Sequence, residues 1–157
     1  MGTEFSVFSA IALGMTRKLM IYVFTCILVL LFIVTGLEKV VKFQEFSEKM
    51  SGQVFGKDLL PVMLFVLPVA EISCAVLLVV PKSRSVGFAL SIALLTMFST
   101  YIILILLHVF STQPCPCGGP LEKLPWTGHL LFNLFFLIIS GLGLILTIKE
   151  RRQEKLT

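Results

Sequence analysis

Apolar residues along this chain do not alternate with polar ones. They run together in four blocks, over 19–37, 59–80, 86–110 and 128–148. Each block approaches or exceeds the roughly 20 residues that a helix needs to cross a bilayer core. Lipid offers backbone amides no partner, so each block must close its own hydrogen bonds as a helix. The pattern predicts an all-α polytopic membrane protein, a bundle of four transmembrane helices with the lipid bilayer as its solvent. The first block is too long for the apolar part of a cleaved signal, and no Ala-x-Ala-like site follows it.

The pattern changes after the first block. Phe43, Phe46, Met50 and Val54 recur at spacings of three and four, giving one apolar face on an amphipathic helix. Glu38–Lys42 and Glu45–Lys49 are i,i+4 pairs for its wet side. Gly52 and Gly56 are expected to end it, with Asp58 as the N-cap of the next span. Such a helix would lie in the membrane interface over the bundle.

Composition strengthens the membrane reading. Of 157 residues, 57% are hydrophobic and 14% charged, against about a quarter charged in soluble domains. The net charge of +4 forms no basic stripe interleaved with aromatics, so nucleic acid is not an expected partner. Most cations flank the apolar blocks instead. One side would carry Arg17, Lys18, Lys82, Arg84, Lys149, Arg151, Arg152 and Lys155. The other would carry Lys39, Lys42, Lys49, Lys57 and Lys123, offset by neighbouring acids. The positive-inside rule then puts both termini in the cytoplasm and the loops over 38–58 and 111–127 outside. The expected layout is an N-terminal extension over 1–14, a membrane domain over 15–148 and a basic tail over 149–157. Gly2-Thr3-Glu4-Phe5 has the look of a cloning remnant, and Met15-Thr16-Arg17-Lys18 that of a natural start.

The second outer loop carries the most reactive chemistry, Pro114-Cys115-Pro116-Cys117-Gly118-Gly119-Pro120. Its prolines and glycines exclude a helix and leave little steric cover. A disulfide between cysteines two positions apart needs Cα atoms within about 6.8 Å, and the small ring it closes is strained. Strained, exposed disulfides are the exchangeable ones, so Cys115 and Cys117 suit a redox shuttle. A local bridge that only stiffens the loop remains the alternative. A zinc site from the two thiols and the two histidines is disfavoured, because structural sites space their cysteines by two to four residues. Cys26 and Cys74 fall inside spans and read as small hydrophobes.

Two further polar features stand out. Glu71 lies midway along the second span, where an acid costs about 2.5–3.5 kcal/mol, so it must face the interior with a partner or a proton. Pro68, one turn earlier, is expected to kink that helix. His108 and His129 flank the cysteine loop, and His129, Asn133 and Trp126 form a polar-aromatic cluster at the start of the fourth span. An imidazolium there would stabilise a thiolate.

Taken together, the chain resembles the MauE family of methylamine-utilisation membrane proteins, within the broader DoxX-like redox-associated group. The resemblance rests on Thr35-Gly36-Leu37-Glu38-Lys39, on Pro68-Val69-Ala70-Glu71 and on Cys115-Pro116-Cys117-Gly118-Gly119. The family's loop is similar to Cys-Gly-Cys followed by Phe-Gly, and here Pro stands between the cysteines. The resemblance implies a bacterial inner-membrane protein that assists periplasmic disulfide handling or maturation of a partner. That partner would be a thioredoxin-like protein or a disulfide-rich client. In this reading Cys115 and Cys117 are catalytic, with Glu71, Lys39, His108, His129, Asn133 and Trp126 in support. Glu71 would relay a proton or line a pocket for a quinone, the one candidate cofactor. Two other readings stay open: a scaffold whose cystine is structural, and a proton-coupled carrier built on Glu71.

Overall fold

The computed structural model describes residues 2–52, 59–109, 124–154 and 156, and for 2–15 the backbone alone. The described residues are all-α. Helix α1 is Gly2–Val41, α2 Phe43–Ser51, α3 Leu60–Val79, α4 Arg84–Leu106 and α5 Trp126–Glu154. Four segments are long and apolar enough to cross a membrane: Thr16–Val41 of α1, then α3, α4 and α5. The helix count matches the expectation from hydropathy, while the ends differ. Helix α1 starts at Gly2, well before position 19, and α5 runs from Trp126 to Glu154 rather than over 128–148.

The third span stops at Leu106, short of the expected 110, for a local reason. His108 takes a left-handed conformation, with φ of 53°. Its N–H donates to the Ile105 carbonyl at 3.0 Å, and the Val109 N–H donates to the Leu104 carbonyl at 3.2 Å. Those two bonds close the helix end in a Schellman motif. At the head of α3 the expected cap also shifts. Leu59 occupies the N-cap position, Asp58 lies outside the described residues, and Pro61 sits in the first turn where no N–H is missed. Pro68 lies within α3, which runs from Leu60 to Val79, and its missing N–H deprives the Leu64 carbonyl of its usual intrahelical donor.

The four long helices form a ring in which α1 and α4 each pack against both α3 and α5. Leu28, Phe32, Leu78, Phe88 and Leu95 fill the centre. Large apolar side chains such as Leu30, Phe65, Leu131 and Ile138 point outward. On a water-soluble protein that surface would aggregate; in lipid it is the wetted face. Helices attract one another weakly in lipid, so close backbone approach matters more. At Gly87 of α4 an added Cβ would meet the Leu78 backbone N of α3 at 2.8 Å. The neighbouring polar groups close on themselves. Ser91 Oγ donates to the Gly87 carbonyl at 2.8 Å, and the buried Cys74 thiol lies 3.1 Å from that hydroxyl. Cys26, by contrast, is exposed on the outside of α1 rather than buried.

One end of the bundle is tied by polar contacts. Arg17 donates to Gln153, and both Arg17 and Lys18 pair with Glu150, at 3.8 and 3.4 Å. Arg151 donates to the Pro81 and Lys82 carbonyls of the α3–α4 turn, at 2.8 and 2.6 Å. Arg17, Lys18 and Arg151, three of the cations expected on one membrane side, thus gather at one end of the molecule. At the other end lies α2, with the predicted amphipathic register. Phe46 and Met50 are buried against Leu64 and Leu67 of α3, and Phe43 sits 6.4 Å from Phe65, ring to ring. The Glu38–Lys42 and Glu45–Lys49 pairs form at 3.1 and 2.7 Å on the exposed face. The Lys49 ammonium beside Glu45 holds its carboxyl below the usual range. Gly52 ends α2 as expected, while Val54 and Gly56 lie outside the described residues.

The Gly87 contact yields a stability prediction. Gly87→Ala must push α3 and α4 apart, a cost of about 1–3 kcal/mol. Gly141→Ala meets nothing within 4 Å and should be neutral or stabilise by up to about 1 kcal/mol through helix propensity. Thermal unfolding of the two variants in detergent, against the parent, checks the contrast.

Candidate functional site

Away from the tied end, the four long helices and α2 line a cavity of about 810 Å³. That lies within the roughly 300–1,000 Å³ typical of ligand sites. Helix α2 roofs it through Phe46 and Met50; Phe32, Leu67 and Phe98 supply apolar walls. Such a space in a bundle this small is costly to leave unfilled by side chains, and its walls are not uniformly apolar.

Glu71 lies on the cavity wall. Helix α3 carries it about 17 Å below Leu60, at 1.5 Å per residue, and its side chain is 3% exposed. It faces the interior, as a membrane acid must, and its partner is Lys39 from the end of α1. The Lys39 ammonium donates to Glu71 Oε1 and Oε2 at 2.8 and 2.9 Å, and to the Thr35 carbonyl at 3.3 Å. All three ammonium protons are therefore used. Lys39 bends back along α1 to reach Glu71, burying its aliphatic stem as it goes. Gly36 makes the approach possible: an added Cβ would stand 3.1 Å from Ile72 Cγ1 and 3.4 Å from Glu71 Cβ. Thr35, Gly36 and Lys39 are thus one device, in which a small residue admits α3 and the flanking residues clamp its acid.

The first turn of α5 supplies the opposite wall. The Pro125 carbonyl accepts the N–H groups of Gly128 and His129, at 2.8 and 3.1 Å, and starts the helix. Trp126 and His129 then stack at 5.9 Å between ring centroids, tilted by 48°. With Asn133 one turn on, all three line the cavity. His129 Nε2 is buried and has no hydrogen-bond partner among the described residues.

Of the supporting residues expected from sequence, Lys39, Glu71, Trp126, His129 and Asn133 converge on this one space. His108 does not: it is exposed beyond the end of α4, where its backbone terminates the helix. Cys115 and Cys117 lie outside the described residues. Sequence reasoning missed Thr35 and Tyr101 as wall residues and the roofing role of Phe46 and Met50. Tyr101 carried a usable signal, being a phenol inside the third span.

The ion pair makes a sharp prediction. Lys39→Met alone leaves a buried carboxylate uncompensated and should cost about 3–5 kcal/mol, whereas adding Glu71→Gln should recover most of that loss. Unfolding of the two single variants and the double variant in mixed micelles gives the coupling directly.

Comparison with known proteins is short. Residues 17–146 match the family model described as methylamine utilisation protein MauE. No curated protein and no solved structure matches the chain. That match reaches into all four membrane helices and takes in the Lys39–Glu71 clamp and the cysteine loop, and the chain belongs to the MauE family.

Proposed function

We propose that this multi-pass membrane protein handles thiol–disulfide exchange at the surface of a bacterial inner membrane. Cys115 and Cys117 cycle between dithiol and disulfide, and a periplasmic thioredoxin-like protein or a disulfide-rich client is the exchange partner. The family's description points to methylamine utilisation as the setting, and a maturation helper for a disulfide-rich partner fits that setting.

One observation supports the reading above the others. An ion pair is held in the lipid-spanning part of the bundle, on the wall of a cavity at the end to which the Cys-Pro-Cys segment is tethered. That segment joins Val109 to Leu124, and α5 begins two residues later with the cavity-lining Trp126. Buried charge in lipid is expensive and a packed apolar interface would be more stable, so the pair points to function. In exchange, a thiolate attacks a partner disulfide, a mixed disulfide forms, and the second thiol resolves it. Gly118 and Gly119 beside the pair lower the steric barrier to a partner's approach.

Trapping decides the matter. In cells, Cys115→Ser or Cys117→Ser should accumulate a mixed disulfide with a thioredoxin-like or disulfide-rich protein, one variant far more than the other. The Cys115→Ser/Cys117→Ser double variant should trap none. Capture by neither single variant, with the native pair poised below about −300 mV, would leave the cystine structural and end the proposal.

A further inference from the structure

The cavity has a composition that selects among ligands. We propose that it binds a membrane-borne quinone, with the ring against Trp126 and His129 and the apolar tail leaving along α4. This deepens the redox reading above by naming an electron acceptor, and binding can be measured without turnover.

Charge is the first ground. Lys39 and Glu71 neutralise each other, and the ammonium has no proton to spare. An anionic ligand such as a fatty acid would have to break that pair, while a neutral headgroup leaves it intact. Polar complementarity is the second. His129 brings an imidazole to the wall, and its Nε2 has no hydrogen-bond partner among the described residues. The amide of Asn133 shares the wall. A ring carbonyl at one end of a ligand accepts from an imidazole N–H, and a quinol hydroxyl donates to the other tautomer, so either redox form is met. Shape is the third. Phe32, Phe98, Tyr101, Trp126, His129 and Phe132 give the cavity planar walls, which suit a flat π-system better than a flexible saturated chain.

Access is the fourth ground. Ala93, Met97 and Thr100 recur at spacings of four and three on one side of α4. They line the cavity yet are exposed on the outside of the bundle, Met97 by 49%. A mouth along this strip would face acyl chains rather than water. A ligand dissolved in the bilayer enters there without crossing an aqueous phase. Closing the Cys115–Cys117 disulfide releases two electrons and two protons, and reduction of one quinone to quinol takes up both. The exchange balances with no further reactant.

The chain has a single Trp, Trp126, and it is on the cavity wall, so its fluorescence reports occupancy. Full-length protein in detergent should show saturable quenching by decylubiquinone, unaffected by a large excess of oleate. His129→Phe, which keeps a ring and removes the nitrogen, should weaken binding at least tenfold. Thr100→Phe, on the exposed strip, should do the same by blocking the side opening, and it carries the test if His129→Phe fails to fold. Quenching that never saturates, equal displacement by oleate, or full binding by Thr100→Phe would overturn the assignment. Saturable quinone binding without any mixed disulfide would uphold it and remove the exchange reaction instead.

Discussion

The Lys39–Glu71 pair is the constraint around which the rest of the structure is arranged. A carboxylate deep in a lipid-spanning helix has two routes to tolerable energy: a proton, or a cation close enough to share its field. The chain takes the second route, and three features of α1 follow from it. The lysine sits near the helix end so that its stem can run back into the bundle. Gly36 removes a Cβ so that α3 can come close. The Thr35 carbonyl takes the third ammonium proton, which leaves the pair closed and electrically neutral. Neutrality in turn decides what the cavity beside it can accept.

The two ends of the bundle are built for different tasks. One is bound by arginine and lysine contacts that join α1, α5 and the α3–α4 turn, and by the glycine-mediated contact of α3 with α4. The other is hollow, roofed by a short amphipathic helix that contributes only two buried side chains. Rigidity at one end lets the opposite end leave space unfilled without losing the fold, and unfilled space is what a ligand site needs. Helix α2 is the least anchored element described, held to α3 mainly through Phe46 and Met50, so its position sets how tightly the cavity is covered.

Much of this was legible before any coordinates. Four spans, the amphipathic register of α2, the Glu38–Lys42 and Glu45–Lys49 ion pairs and the inward orientation of Glu71 all follow from local pattern and hold. Helix ends were less legible. His108 read as a residue flanking a reactive loop, but its left-handed backbone ends α4, and nothing in its side-chain type announces that conformation. Lys39 carried no chemical signal of its own, only membership in a motif at a span's end.

Hydropathy alone determined that the chain crosses a membrane and how many times, because the free energy of moving a segment into lipid depends on that segment's own residues. It also marked Glu71 as costly, for the same local reason. Which cation answers that acid was decided only in three dimensions. Lys39 and Glu71 lie 32 positions apart on separate helices, and helices that are apolar on nearly every side carry no stripe to fix their rotation. The cavity and its α2 roof arise likewise from how the helices turn and tilt against one another, which depends on contacts no single segment encodes.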